Sequence, residues 1–133
     1  MDHRGCRELI NATGCDKVML AREAMGNPWL FQEIFDPENY QAPTVADLAD
    51  EIETHVLEMI DYYGLAMGLL VSRKVILDYM RGRGFPRVLK TKVIHIADTG
   101  DLKSFTAELR QGVSGRYCSW LKTNPDTARR LSV

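Results

Sequence analysis

The sequence predicts a mainly α protein: a bundle of four or five helices preceded by a short αβ unit. From Thr44 onward, apolar residues recur at three- and four-residue spacing, the period of a helix face. Glycine- and proline-marked breaks cut this region into helix-length segments with short joints, which suits antiparallel neighbours. One stretch alone, Asp16-Lys17-Val18-Met19-Leu20-Ala21, reads as a buried strand.

The elements follow in order. Residues 3–13 read as a short helix, and Gly14 fits the position just past its end. Helix, glycine and strand 16–21 make half of an α/β repeat. A lone strand leaves its backbone edges unpaired, so this one requires partners from elsewhere and marks the chain as a piece of something larger. Asn27-Pro28 opens a second helix, with Asn27 as N-cap and Trp29, Leu30, Phe31, Ile34 and Phe35 apolar. Residues 37–43 are a linker by composition. Thr44 caps the next helix, with Asp47 at its third position. Leu48, Ile52, Val56, Met59, Ile60 and Tyr63 form that helix's apolar face, and Gly64 ends it. A helix over 65–81 points Leu69, Ile76, Tyr79 and Met80 at a core, and Gly82-Arg83-Gly84-Phe85-Pro86 breaks it. Leu89, Val93 and Ile96 share a face after Pro86, with Ile94 beside them. Asp101 is taken as N-cap of a helix over 102–111, stopped by Gly112, and a short helix over 115–121 uses Tyr117 and Trp120. Residues 123–133 read as a loose tail.

The chain has 133 residues, too few for a complete (β/α)₈ barrel of about 250. No run approaches the roughly 20 apolar residues of a membrane span, and the polar start is unlike a signal peptide. A cytoplasmic location is expected. Three cysteines, Cys6, Cys15 and Cys118, are too few and too far apart for a disulfide framework. His3, His55 and His95 are scattered, which argues against a zinc site. The net charge of −1 conceals an asymmetry. Residues 1–68 hold 4 basic and 13 acidic side chains, whereas residues 69–133 hold 13 basic and 5 acidic. Within 69–92 seven cations face one carboxylate, Asp78. Such a segment either meets phosphates or balances the acidic half across an internal interface.

The run from Gly14 to Phe31 ends in Val18-Met19-Leu20-Ala21-Arg22-Glu23-Ala24-Met25-Gly26-Asn27-Pro28-Trp29-Leu30-Phe31. It resembles the end of the barrel domain in tRNA-dihydrouridine synthases, where the pattern is roughly TGxDxVMIGRGALGNPWLF. Tyr62-Tyr63-Gly64, then Ser72-Arg73-Lys74 and Asp78-Tyr79-Met80, resemble the helical domain of that family. The resemblance implies that residues 1–36 are the remnant, last strand and helix, of a TIM-type β/α barrel that binds flavin. Residues 44–122 would then be a helical domain that grips tRNA.

The resemblance also implies roles for single residues. The family's Gly-Arg pair at the flavin mononucleotide (FMN) phosphate falls on Ala21 and Arg22, with alanine for glycine as a departure; Glu23, in place of a small residue, is a second. Arg73 and Lys74 match the family's RK pair and lead the expected RNA contacts, with Arg81, Arg83, Arg87 and Lys90 completing the basic segment and Gly82-Arg83-Gly84 as a flexible basic loop. Tyr79, Phe85 and Trp120 are candidates to stack on a base, against packing in the core. The family's catalytic cysteine lies in an Asn-x-Gly-Cys-Pro-like segment. Cys6, Cys15 and Cys118 have no such context, so no catalytic residue, no metal and no flavin bound by this chain alone are expected. The whole enzyme would use FMN, with NADPH as reductant, to reduce uridine in tRNA. The rival expectation is a helical interaction or oligomerisation module, pairing through the exposed apolar remnant of the barrel.

Overall fold

The computed structural model describes residues 8–9, 11–14, 24–125, 127 and 129–132. Within these, Glu8, Leu9 and 11–13 are helical, as expected of the first helix. The predicted strand 16–21 lies outside the described residues. Among those described no strand forms, and β pairing is limited to an isolated parallel bridge between Thr44 and Ser132. The helices are α1 (Leu30–Phe35), α2 (Val45–Tyr63), α3 (Leu65–Met80), α4 (Arg87–Lys92), α5 (Thr99–Leu109) and α6 (Gly115–Thr123), with a 3-10 turn (Val93–His95) after α4.

Helix α2 starts where the capping box requires. Thr44 Oγ1 accepts from the Asp47 amide at 3.1 Å, and Asp47 Oδ2 accepts from the Thr44 amide at 3.0 Å. Gly64, at φ +85°, turns the chain sharply into α3. The two helices then close to backbone contact. A Cβ on Gly68 would lie 2.6 Å from Ile60 Cα, so only glycine permits this approach. Helix α5 crosses the other side of α2. Leu48, Ile52, Val56, Ile76, Met80, Val93, Leu102 and Leu109, from all these elements, are at most 1% exposed. The periodicity read from the sequence is the periodicity of this core.

Three boundaries differ from expectation. Asn27 does not cap α1: the helix begins at Leu30, and Asn27 Oδ1 instead accepts from Arg83. Asp98, not Asp101, is the N-cap of α5, its Oδ1 accepting from the Asp101 amide at 2.7 Å. Asp101 reaches back to the Ala97 amide at 3.0 Å. Asp98→Ala is expected to cost about 1 kcal/mol, read as a lower thermal unfolding midpoint. The third difference concerns the tail. Arg129 and Leu131 are buried, Leu131 joins the main core, and the Ser132 amide donates to Pro43 O at 2.8 Å. An apolar side chain that finds the core outweighs the polar composition around it.

Candidate nucleic-acid interface

Helix α3 is apolar nearly all round, and its two faces have different fates. Leu69, Ser72, Ile76, Tyr79 and Met80 are buried. Met67, Leu70, Lys74, Leu77 and Arg81 share the opposite, exposed face at the spacing of successive helix turns. Lys74 and Arg81, seven residues apart, are thus stacked two turns from each other on one surface, with Leu77 between them.

The expected RNA contacts separate into three groups. Lys74, Arg81 and Arg87 are exposed. Arg73 and Lys90 are half-buried, and the Arg73 Nε is buried without a hydrogen-bond partner among the described residues. Arg83 is fully buried, which corrects its expected place in a flexible basic loop. Gly82 and Gly84, at φ +71° and +79°, turn the chain so that the arginine between them points inward.

Inside, the Arg83 guanidinium is a tie between distant parts of the chain. Its Nε donates to Tyr79 O at 2.7 Å, Nη1 to Arg129 O at 3.2 Å, and Nη2 to Gly26 O at 3.2 Å and Asn27 Oδ1 at 3.1 Å. Its carbon lies 5.4 Å from the Trp29 ring centroid. Burial, then the Arg129 charge, lowers its pKa to about 10. Arg129 repeats the device, donating to Asp78 O at 2.7 Å and Met25 O at 2.5 Å. Together the two arginines fasten the turn 24–27, the end of α3 and the C-terminal segment. Sequence reading missed this joint, because its members lie 46 to 57 residues from Arg83.

Some carboxylates pair outside the row on α3. Asp50 and Glu53 of α2 bind Arg110, at 2.6 and 3.4 Å, and Glu53 also accepts from Thr106. These hydrogen bonds raise the Arg110 pKa. Glu108 holds Lys92 at 2.6 Å. Among the described residues, Arg73, Lys74, Arg87 and Lys90 make no ion pair.

A cavity of about 470 Å³ separates the turn 24–31 from α2 and α3. Glu51, Glu58 and Asp78 line it beside His55, Thr54 and Tyr79. Burial, then Glu51, pushes the Tyr79 phenol up to about 12, so it stays protonated, and its oxygen lies within hydrogen-bond reach of His55 Nδ1 at 3.1 Å. Tyr79 is therefore a core residue, as is buried Phe85, while Trp120 keeps an exposed face. Ala21 and Arg22 lie outside the described residues. The described residues therefore do not include the pair that the resemblance assigns to the FMN phosphate. They also place no group of three or more His, Cys, Asp or Glu to hold a metal, and no helix among them is long and apolar enough to cross a membrane. Phe35 on α1 is 82% exposed, the most open apolar side chain of that segment.

The chain is 34% identical over 80 residues to a probable tRNA-dihydrouridine synthase of Rickettsia prowazekii, covering 57% of this chain and 24% of that protein. It is 34% identical over 79 residues to tRNA-dihydrouridine synthase B of Escherichia coli K12, 56% of this chain and 25% of that one. With the Pseudomonas putida synthase B it shares 26% over 115 residues, 80% of this chain and 34% of that protein. The chain thus spans about a quarter of the length of the first relatives it matches. No solved structure matches it. The family profile for dihydrouridine synthase covers residues 1–113, so the chain belongs to the dihydrouridine synthase family.

Proposed function

We propose that this chain is the helical, tRNA-gripping part of a tRNA-dihydrouridine synthase, and that α3 and α4 supply the grip. The observation that carries this reading is the division of labour among the charges. Asp50 and Glu53 of α2 pair with Arg110 rather than with the basic segment, and Arg73, Lys74, Arg87 and Lys90 make no ion pair among the described residues. Cations held off by no internal partner are suited to phosphates. Lys74 and Arg81 on one face, with Arg73 at its flank, present a row of charge along a rigid helix rather than on a loop. Such a row positions a nucleic acid without reading its sequence.

Reduction of uridine belongs to the whole enzyme in this reading. The chemistry there is hydride delivery from a flavin, which the resemblance implies. Cys6, Cys15 and Cys118 do not stand in the family's cysteine context, so this chain by itself is expected not to reduce uridine.

The test is binding of bulk tRNA at low and moderate salt, beside an Arg73→Ala/Lys74→Ala variant. Binding is expected to fall steeply with salt, and the variant to bind more weakly with a log–log salt slope reduced by about 1 to 2. A variant that binds tRNA as the parent does, at every salt, would overturn the assignment to α3.

A further inference from the structure

We propose that α6 carries a stacking shelf for an unpaired RNA base, built by Trp120 on Tyr117 with Arg116 beside it. This rests on the RNA-binding reading above and extends it to residues past 113, where the family profile ends.

The shelf is visible in how the two rings are held. Trp120 is 45% exposed, yet its position is fixed: its ring stacks on Tyr117 with centroids 6.0 Å apart and planes at 26°. Tyr117 is buried and anchored from below. A Cβ on Gly84 would lie 2.0 Å from its ring, so the ring is seated directly on the glycine backbone. The Ser114 Oγ accepts the Tyr117 amide and starts the helix at this point. A cavity of about 350 Å³ opens between Gly84, Phe85, Arg116 and the two rings. An indole already immobilised on one face loses little freedom when a second ring covers the other.

The chemistry of the occupant follows from the charges. An aromatic face alone accepts a base or a proline-rich peptide equally well. Here cations flank it in sequence: Arg116 and Lys122 lie between the nearest carboxylates of the sequence, Glu108 and Asp126, while Arg110 is held by Asp50 and Glu53. Arg116 and Lys122 form no ion pair among the described residues. A stacking surface with unpaired cations on both sides of it in sequence suits a base with its phosphates, and single-stranded RNA presents both.

The experiment uses the 133-residue chain, a short labelled oligouridine and a duplex RNA of equal length. Trp120→Ala is expected to weaken oligouridine binding about tenfold, with duplex binding and the salt slope unchanged. Trp120→Phe is expected to restore most of the loss, since phenylalanine also stacks. Helix content by circular dichroism is expected to match in all three proteins. Equal loss on duplex and single strand would overturn the shelf, because it would report a charge or folding effect. If Trp120→Ala binds oligouridine normally while Arg73→Ala/Lys74→Ala loses tRNA, the shelf fails and the grip stands. If the parent binds neither RNA, the shelf fails together with the reading it rests on.

Discussion

Arg83→Met is expected to lower the stability of this chain by about 3–5 kcal/mol, measured as a shift of the urea unfolding midpoint. The substitution removes one group and strands four. The carbonyls of Tyr79, Arg129 and Gly26 and the Asn27 side chain all accept from that guanidinium. Methionine fills much of the volume but offers no donor, so each acceptor keeps the cost of its lost hydration. Arg83→Lys tests geometry apart from charge. An ammonium is a compact donor and cannot span acceptors arranged around a planar fork, so the lysine variant is expected to recover less than half of the loss. A midpoint for Arg83→Met within about 0.5 kcal/mol of the parent would mean that the side chain faces water after all.

Gly26→Ala is expected to cost about 3 kcal/mol, for a different reason. Its φ of +67° is disfavoured for any L side chain, and that alone costs about 1 kcal/mol. The larger part is steric. The new Cβ would sit 2.3 Å from the Asp78 carbonyl carbon and 2.4 Å from the Tyr79 amide nitrogen. Backbone in the last turn of α3 is held by the helix and cannot give way, so the turn 24–27 must lift off. With it go the Met25 and Gly26 carbonyls that Arg129 and Arg83 hold. Faster proteolysis between 24 and 43 is the expected companion of the lower midpoint. Gly112→Ala is the control: φ is +109°, but the space is open, so only the backbone cost of about 1 kcal/mol applies. Because Arg83 and Gly26 serve one joint, the double variant is expected to lose less than the two single losses added together.

The helical bundle was legible because its signals are local. Thr44 with Asp47, Gly64, the face from Leu48 to Val56 and the break after Arg81 all act within a few residues of themselves. The errors arise where a partner is remote. Arg83 between two glycines has the composition of a solvated loop, and nothing within ten residues says that Gly26, Asn27 and Arg129 await it. Asn27 ahead of Pro28 has the form of a helix cap, and it is diverted because a buried guanidinium is the stronger claimant on its oxygen. Leu131 in a polar tail gives no period to read, and its burial depends on a core gap that only the tertiary fold creates. Of the interface, the placing of Lys74, Arg81 and Arg87 in the open was legible from helix spacing. The pairing of Arg110 with Asp50 of α2 is a contact across about sixty residues, beyond the reach of any local pattern.

The bridge between Thr44 and Ser132, with the Ser132 amide on Pro43 O, has a consequence for how such a unit travels between proteins. The residue that opens the first long helix and one of the last residues described lie side by side. A module that begins and finishes at the same place can be set into a host loop, or moved from one enzyme to another, without pushing the host's own flanking segments apart. Grafting residues 24–132 into an exposed loop of an unrelated protein would keep this closure, because Met25 O accepts from Arg129 near the far end of the unit.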